Sequence, residues 1–239
     1  MMLLPATARA ECVVLLHGLA RSEASMLVLQ EVLEFHGYHV INEGYPSEDA
    51  PIEDLVRYVG ESAALCGGER MHFVTHSLGG ILVRAWLAQA HPENLGRVVM
   101  LAPPNHGSEI VDTLDSNTML RDMATFFNGP ATHELGTGAQ SVPNQLPPVD
   151  FDLGVIAGDV PINPIGAAVI DGPSDGTVSV ESTRVEGMHD HIVINASHTL
   201  IMMNPVAMAE VLEYLRNGVF DHSITLASAL RKLSQRQAG

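Results

Sequence analysis

One stretch, Met71-His72-Phe73-Val74-Thr75-His76-Ser77-Leu78-Gly79-Gly80-Ile81-Leu82-Val83-Arg84-Ala85-Trp86, limits the folds open to this chain more than any other. An apolar run enters a turn of small residues and leaves with the spacing of an amphipathic helix, which predicts a strand, a sharp reversal and a helix. Ser77 stands at the apex. So tight a reversal strains the apex backbone and needs neighbours without bulk. Gly79 and Gly80 have no Cβ to meet the strand as the helix passes it. Thr75 departs from that requirement, because its side chain is branched at Cβ.

The rest of the chain repeats the alternation. Residues 11–16, 38–42, 97–102, 152–158 and 191–194 read as strands. Residues 22–36, 51–65, 78–90, 205–216 and 224–237 read as helices. Ser22 caps the first helix and Gly37 stops it, with Met26, Leu29, Val32 and Leu33 on one buried face. Alternating β and α segments of this length predict an α/β fold with a mostly parallel sheet covered by helices on both faces. A hydrophobic fraction of 46% with only 5% aromatics suits the Val/Leu/Ile/Ala interior such a sheet needs. No linker-like segment divides the 239 residues, so a single domain over 11–239 is expected. From 109 to 148 the strand pattern lapses into a helix-like stretch at 119–127 and loops rich in Gly, Pro and Thr, which predicts a small cap or lid. Met188, Met202, Met203 and Met208 read as fillers of core gaps.

Charge excludes some functions. Lys and Arg total 12 and Asp and Glu 28, a net −16 with no basic patch to neutralise phosphates, so nucleic acid is not an expected partner. The same field repels anionic substrates and membrane surfaces at long range and leaves neutral esters and amides unaffected. No apolar run approaches the ~20 residues of a membrane span. Residues 1–10 end in Ala8-Arg9-Ala10, which matches a small-x-small cleavage site, so the start reads as the remnant of a secretory signal and the protein as exported; the alternative is a frayed cytoplasmic N-terminus. Cys12 and Cys66 both fall at the sheet edge remote from Ser77. They are either a disulfide suited to an oxidising compartment or two unrelated buried thiols.

Three more segments bear on chemistry. His17-Gly18-Leu19 follows the first strand, Asp175-Gly176 heads a turn after the fifth, and Ser197-His198-Thr199 leaves the last. Each lies where a parallel sheet gathers functional groups, at the C-terminal ends of its strands. Asp159, Asp171 and Asp190 compete with Asp175, and His106, in the Pro103-Pro104-Asn105-His106-Gly107-Ser108 turn, is a second histidine on the same side. A turn histidine more often caps its neighbours, and His17 reads as structural.

With His17-Gly18, Thr75-His76-Ser77-Leu78-Gly79-Gly80, Asp175-Gly176 and Ser197-His198-Thr199 in this order, residues 11–217 resemble the α/β-hydrolase superfamily, specifically small bacterial serine lipases and esterases. Thr75 stands where that family's Gly-x-Ser-x-Gly motif has its first glycine. The resemblance implies an α/β-hydrolase fold with a short cap and a catalytic triad of Ser77 as nucleophile, His198 as base and Asp175 as its orienting acid. It also implies an oxyanion hole from the backbone N–H groups of Leu19 and Leu78. Carboxylic esters, small or lipid, are the implied substrates, and no cofactor or metal is implied; lipases of this kind sometimes hold a structural calcium, for which no carboxylate pair stands out here. An acyltransferase, amidase or thioesterase uses the same groups, and a non-catalytic binding protein on this fold is the reading from another class.

Overall fold

The computed structural model describes residues 11–116 and 129–236. The signal-like residues 1–10 and the helix-like stretch at 119–127 lie outside the described residues. Six strands, β1 (Cys12–Leu16), β2 (His39–Ile41), β3 (Met71–His76), β4 (Leu95–Leu101), β5 (Leu153–Gly158) and β6 (Asp190–Ile194), form one sheet in the order β2-β1-β3-β4-β5-β6. Every neighbouring pair is parallel. The chain winds outward from β1 to β2, then reverses and builds the rest on the other side. The strand order therefore switches between β1 and β3, and a crevice opens there beyond the strands' C-terminal ends.

Both faces are covered. All five β1 residues are buried, as its unbroken apolar run requires. Val14 and Leu16 pack with α2 (Ile52–Leu65) and α3 (Leu78–Leu87) through Leu55, Val59, Ile81 and Leu82. Val13 and Leu15 point the other way, towards α1 (Leu27–Phe35) and α8 (Pro205–Asn217), where Leu29, Leu33, Val211 and Leu212 meet them. Between β4 and β5 come α4 (Glu109–Ser116), α5 (Pro130–His133) and α6 (Val142–Gln145); α7 (Pro164–Val169) follows β5, and α9 (Leu226–Ser234) closes the chain on α8.

Some expectations are corrected. Ser22 makes no side-chain cap: a 3₁₀ turn over Glu23–Met26 precedes α1, and the Ser22 carbonyl accepts the N–H and hydroxyl of Ser25. Met26, Leu29 and Leu33 are buried as read, while Val32 is only partly covered. Of the four methionines read as core, Met202 and Met208 are buried and Met188 partly so, whereas Met203 ends a 3₁₀ turn facing solvent. Cys12 and Cys66 form a disulfide joining the start of β1 to the end of α2.

Candidate active site

Ser77 sits where β3 becomes α3, with φ 52° and ψ −120°. Two backbone bonds force the reversal. Its N–H donates to Leu101 O of the neighbouring strand (2.9 Å), and its carbonyl accepts from Gly80 N (3.0 Å) to begin the helix. A Cβ on Gly79 would lie 2.6 Å from Leu16 O and 2.9 Å from His17 O, so only glycine lets α3 pass β1 this closely. Thr75 is buried and fits, its Oγ1 3.3 Å from where a Cβ on Gly80 would stand.

His198 and Asp175 converge on this serine. His198 Nε2 is 3.0 Å from Ser77 Oγ, and its Nδ1 is 2.6 Å from Asp175 Oδ2. The carboxylate can only accept, so Nδ1 carries the proton and Nε2 offers its lone pair to the serine hydroxyl. Asp175 is buried, with Oδ1 accepting the N–H groups of Thr177 (2.9 Å) and Val178 (2.8 Å); the Asp-Gly turn read in the sequence thus serves to lock the carboxylate. His198 N–H also donates to Asp175 O (3.1 Å), tying the two loops together. The arrangement can move a proton from Ser77 Oγ to His198 Nε2 while Asp175 faces the charge that forms.

Two further histidines shape this centre. His17 stacks on Tyr45 with ring centroids 4.1 Å apart, bonds Gly18 O through Nδ1 (2.8 Å) and accepts Tyr45 N–H on Nε2 (3.3 Å). Burial lowers its pKa below the ordinary value, and the structural reading of this residue holds. His76, which the sequence left without a role, is buried between the loops: Nε2 donates to His198 O (3.0 Å), and Nδ1 lies 2.7 Å from where a Cβ on Gly18 would be. Burial first, then the neighbouring His198, pull its pKa well below the usual histidine value, so it stays neutral. Leu78 opens α3, and a helix's first-turn amides lack intrahelical acceptors; Leu19 lines the cavity beside Ser77.

That cavity has a volume of about 560 Å³ and includes Ser77, Asp175 and His198 in its wall, with Val111, Leu135, Ile165 and Val178 as apolar lining. Val111 belongs to the segment read as a cap, so part of that segment does wall the site. Arg21 and Asn163 also line it; neither was singled out from sequence, because an arginine in a loop carries no pattern. The competing residues fall elsewhere. Asp159 and Asp171 are exposed, and Asp190, at the start of β6, accepts the N–H groups of His191 and Phe220 at the far end of the sheet. His106 is exposed against Asn144 Oδ1 (2.9 Å), outside the cavity wall. Among the described residues Cys12, His39 and Glu69 come within metal-binding distance of one another, but the Cys12 sulfur is committed to the disulfide.

Comparison with known proteins agrees with this fold. A mature-form crystal structure of Bacillus licheniformis lipase BlEst2 superposes with a TM-score of 0.72 over 87% of this chain and 93% of that one, at 21% identity, a likeness of fold. Triacylglycerol lipases from Pseudarthrobacter phenanthrenivorans and Burkholderia plantarii are each 32% identical over 112 residues, 42% of this chain. The aligned part is 35% and 31% of those proteins, so the match spans about a third of their length. The model of the alpha/beta hydrolase fold family matches residues 11–147, more than half of the chain. The chain belongs to the alpha/beta hydrolase fold family.

Proposed function

We propose that the protein is a serine hydrolase of carboxylic esters, of lipase or esterase type, with Ser77, His198 and Asp175 as its triad. The observation that carries this is the unbroken hydrogen-bond chain from Asp175 Oδ2 through His198 to Ser77 Oγ, at the wall of an apolar cavity. The triacylglycerol lipases similar to part of the chain support the substrate class.

In the first half-reaction Ser77 Oγ bonds to the ester carbonyl carbon as its proton passes to His198 Nε2. The carbonyl oxygen becomes an oxyanion, which the N–H groups of Leu19 and Leu78 stabilise. Collapse breaks the carbon–oxygen bond to the alcohol, which leaves with the proton from His198. Water then attacks the acyl-enzyme, giving a proton to His198, and the carboxylic acid departs as Ser77 recovers its hydrogen. All steps are served by side chains and main-chain amides. The Cys12–Cys66 disulfide supports a working place in an oxidising, extracytoplasmic compartment.

Hydrolysis of p-nitrophenyl esters from acetate to palmitate, with Ser77→Ala alongside, tests the reading. Turnover that vanishes in the variant, with rapid fluorophosphonate labelling of the wild type only, is the expected result. No turnover and no labelling of the wild type would leave a binding protein in its place.

A further inference from the structure

We propose that Arg21 is an anion-recognition residue of the Ser77 cavity, and that the preferred substrates are acyl esters carrying a phosphate or carboxylate group close to the scissile bond. This rests on the serine-hydrolase reading and narrows its substrate class.

Position comes first. Arg21 follows Leu19 and Ala20 in the loop after β1, and Ala20 is held at φ 53°, a turn that non-glycine residues seldom make. The loop thereby sets Arg21 into the wall of the cavity that holds Ser77 and His198, and among the described residues no other Lys or Arg lines it. Its field reaches the centre, for it is among the charges acting on His76.

Arg21 is also uncommitted. The chain has 28 acidic residues and only 12 basic ones, so a basic side chain without an acidic partner is not for want of carboxylates. Arg70, Arg97, Arg184 and Lys232 pair with Glu11, Asp152, Glu181 and Glu213, and buried Arg84 donates to the Asn105 side chain and to the backbone carbonyls of Asn105 and Pro147. Arg21 makes no hydrogen bond or ion pair among the described residues. The carboxylate that shares the cavity wall and the one two residues along the chain are both engaged elsewhere. Asp175 is saturated by His198, Thr177 and Val178, and Glu23 reaches across to Gly44, where its Oε2 occupies the space a Cβ would need.

A guanidinium presents two parallel N–H donors that match a phosphate or carboxylate. Much of the remaining wall is apolar, from Val111, Leu135, Ile165 and Val178, and suits an acyl chain. One cation beside an apolar slot and a nucleophile is the complement of an anionic amphiphile. The net charge of −16 does not oppose this at contact, since salt screens the protein's field beyond about 8–10 Å.

The test compares matched pairs of substrates in wild type, Arg21→Gln and Arg21→Glu. Hexanoyloxyacetate against ethyl hexanoate isolates a carboxylate beside the ester, and dihexanoylphosphatidic acid against dihexanoylglycerol isolates a phosphate. The readout is the ratio of kcat/KM for the anionic member to that for the neutral one. Arg21→Gln is expected to lower this ratio about tenfold or more, the size of one charge-assisted contact, and Arg21→Glu to lower it further. A fall in one pair alone identifies which anion the site takes. A ratio that stays within about twofold in both pairs overturns the proposal. Binding of octyl phosphate to Ser77→Ala and to Ser77→Ala/Arg21→Gln decides the matter independently of turnover. Equal affinities would reject the role of Arg21 even if esters are cleaved, and a roughly tenfold weakening would uphold it even if the serine chemistry failed.

Discussion

The two ends of the sheet are built on opposite terms. At the C-terminal ends of the strands the backbone is strained: Ala20, Ser77 and Ala102, the non-glycine residues at positive φ among those described, follow β1, β3 and β4. Such conformations cost roughly 1–3 kcal/mol each and persist only where the surroundings impose them. At the N-terminal ends the chain is fastened instead. Cys12 is bonded to Cys66, Arg97 Nε and Tyr214 OH share the Asp152 carboxylate, and Asp190 accepts the N–H of Phe220. The fastened end holds the strands in register so that the strained end can present Ser77, and the two should respond differently to substitution.

Ser77→Ala should separate them most sharply. Ester turnover is expected to fall by about 10⁴-fold or more, with the urea midpoint unchanged. Replacing Cys12 and Cys66 by serine acts on the other end: opening a cross-link with a sequence separation of 54 should cost about 4 kcal/mol of stability, with kcat/KM at 25 °C held within about twofold.

Glu210 gives the fastened end a pH dependence. Burial raises its pKa to about 7 from 4.5, against the opposing effect of the Asp221 N–H donated to Oε2. The folded state thus binds this proton more tightly than the unfolded chain does. The stabilisation is complete below pH 4.5 and is lost as pH rises through 7. Glu210→Gln should therefore be more stable than wild type at pH 8 by on the order of 2–3 kcal/mol, and no more stable at pH 4; denaturant titrations at both pH values check this.

The smaller effects return to the strained end. His76 holds the His198 loop through a single hydrogen bond, so His76→Leu should lower kcat about tenfold with little change in KM, and His76→Gln, which keeps an N–H, should recover part of it. Ser77→Gly relieves the positive φ and should raise stability by about 1 kcal/mol in thermal melts, at the expense of turnover.

The same division decided what could be read from sequence. A continuous apolar run such as Val13 to Leu16 declares a buried parallel strand, and a serine with a pair of glycines two residues on declares a tight reversal. Asp175 and His198 were legible through their place after predicted strands. His76, Arg21 and Val111 were not, because their importance comes from what lies beside them across long stretches of chain. His76 meets Gly18 and His198, Arg21 meets a cavity, and Val111 joins that cavity from a segment without periodicity. Ser22 failed as a cap because a 3₁₀ turn placed the first turn of α1 farther along.

Ser77 and His198 stand 121 residues apart, on segments that follow β3 and β6. The disulfide closes within the first 66 residues of the chain, so during synthesis the fastened corner of the molecule can form while most of the sheet is still unmade. His198, the proposed proton acceptor, arrives only with the last strand. Parallel strands also pair through long crossovers, which form slowly. In a refolding experiment ester turnover should therefore return after the tryptophan signal of Trp86 on α3, and a chain stopped short of residue 198 would carry a complete nucleophile turn with no base to activate it.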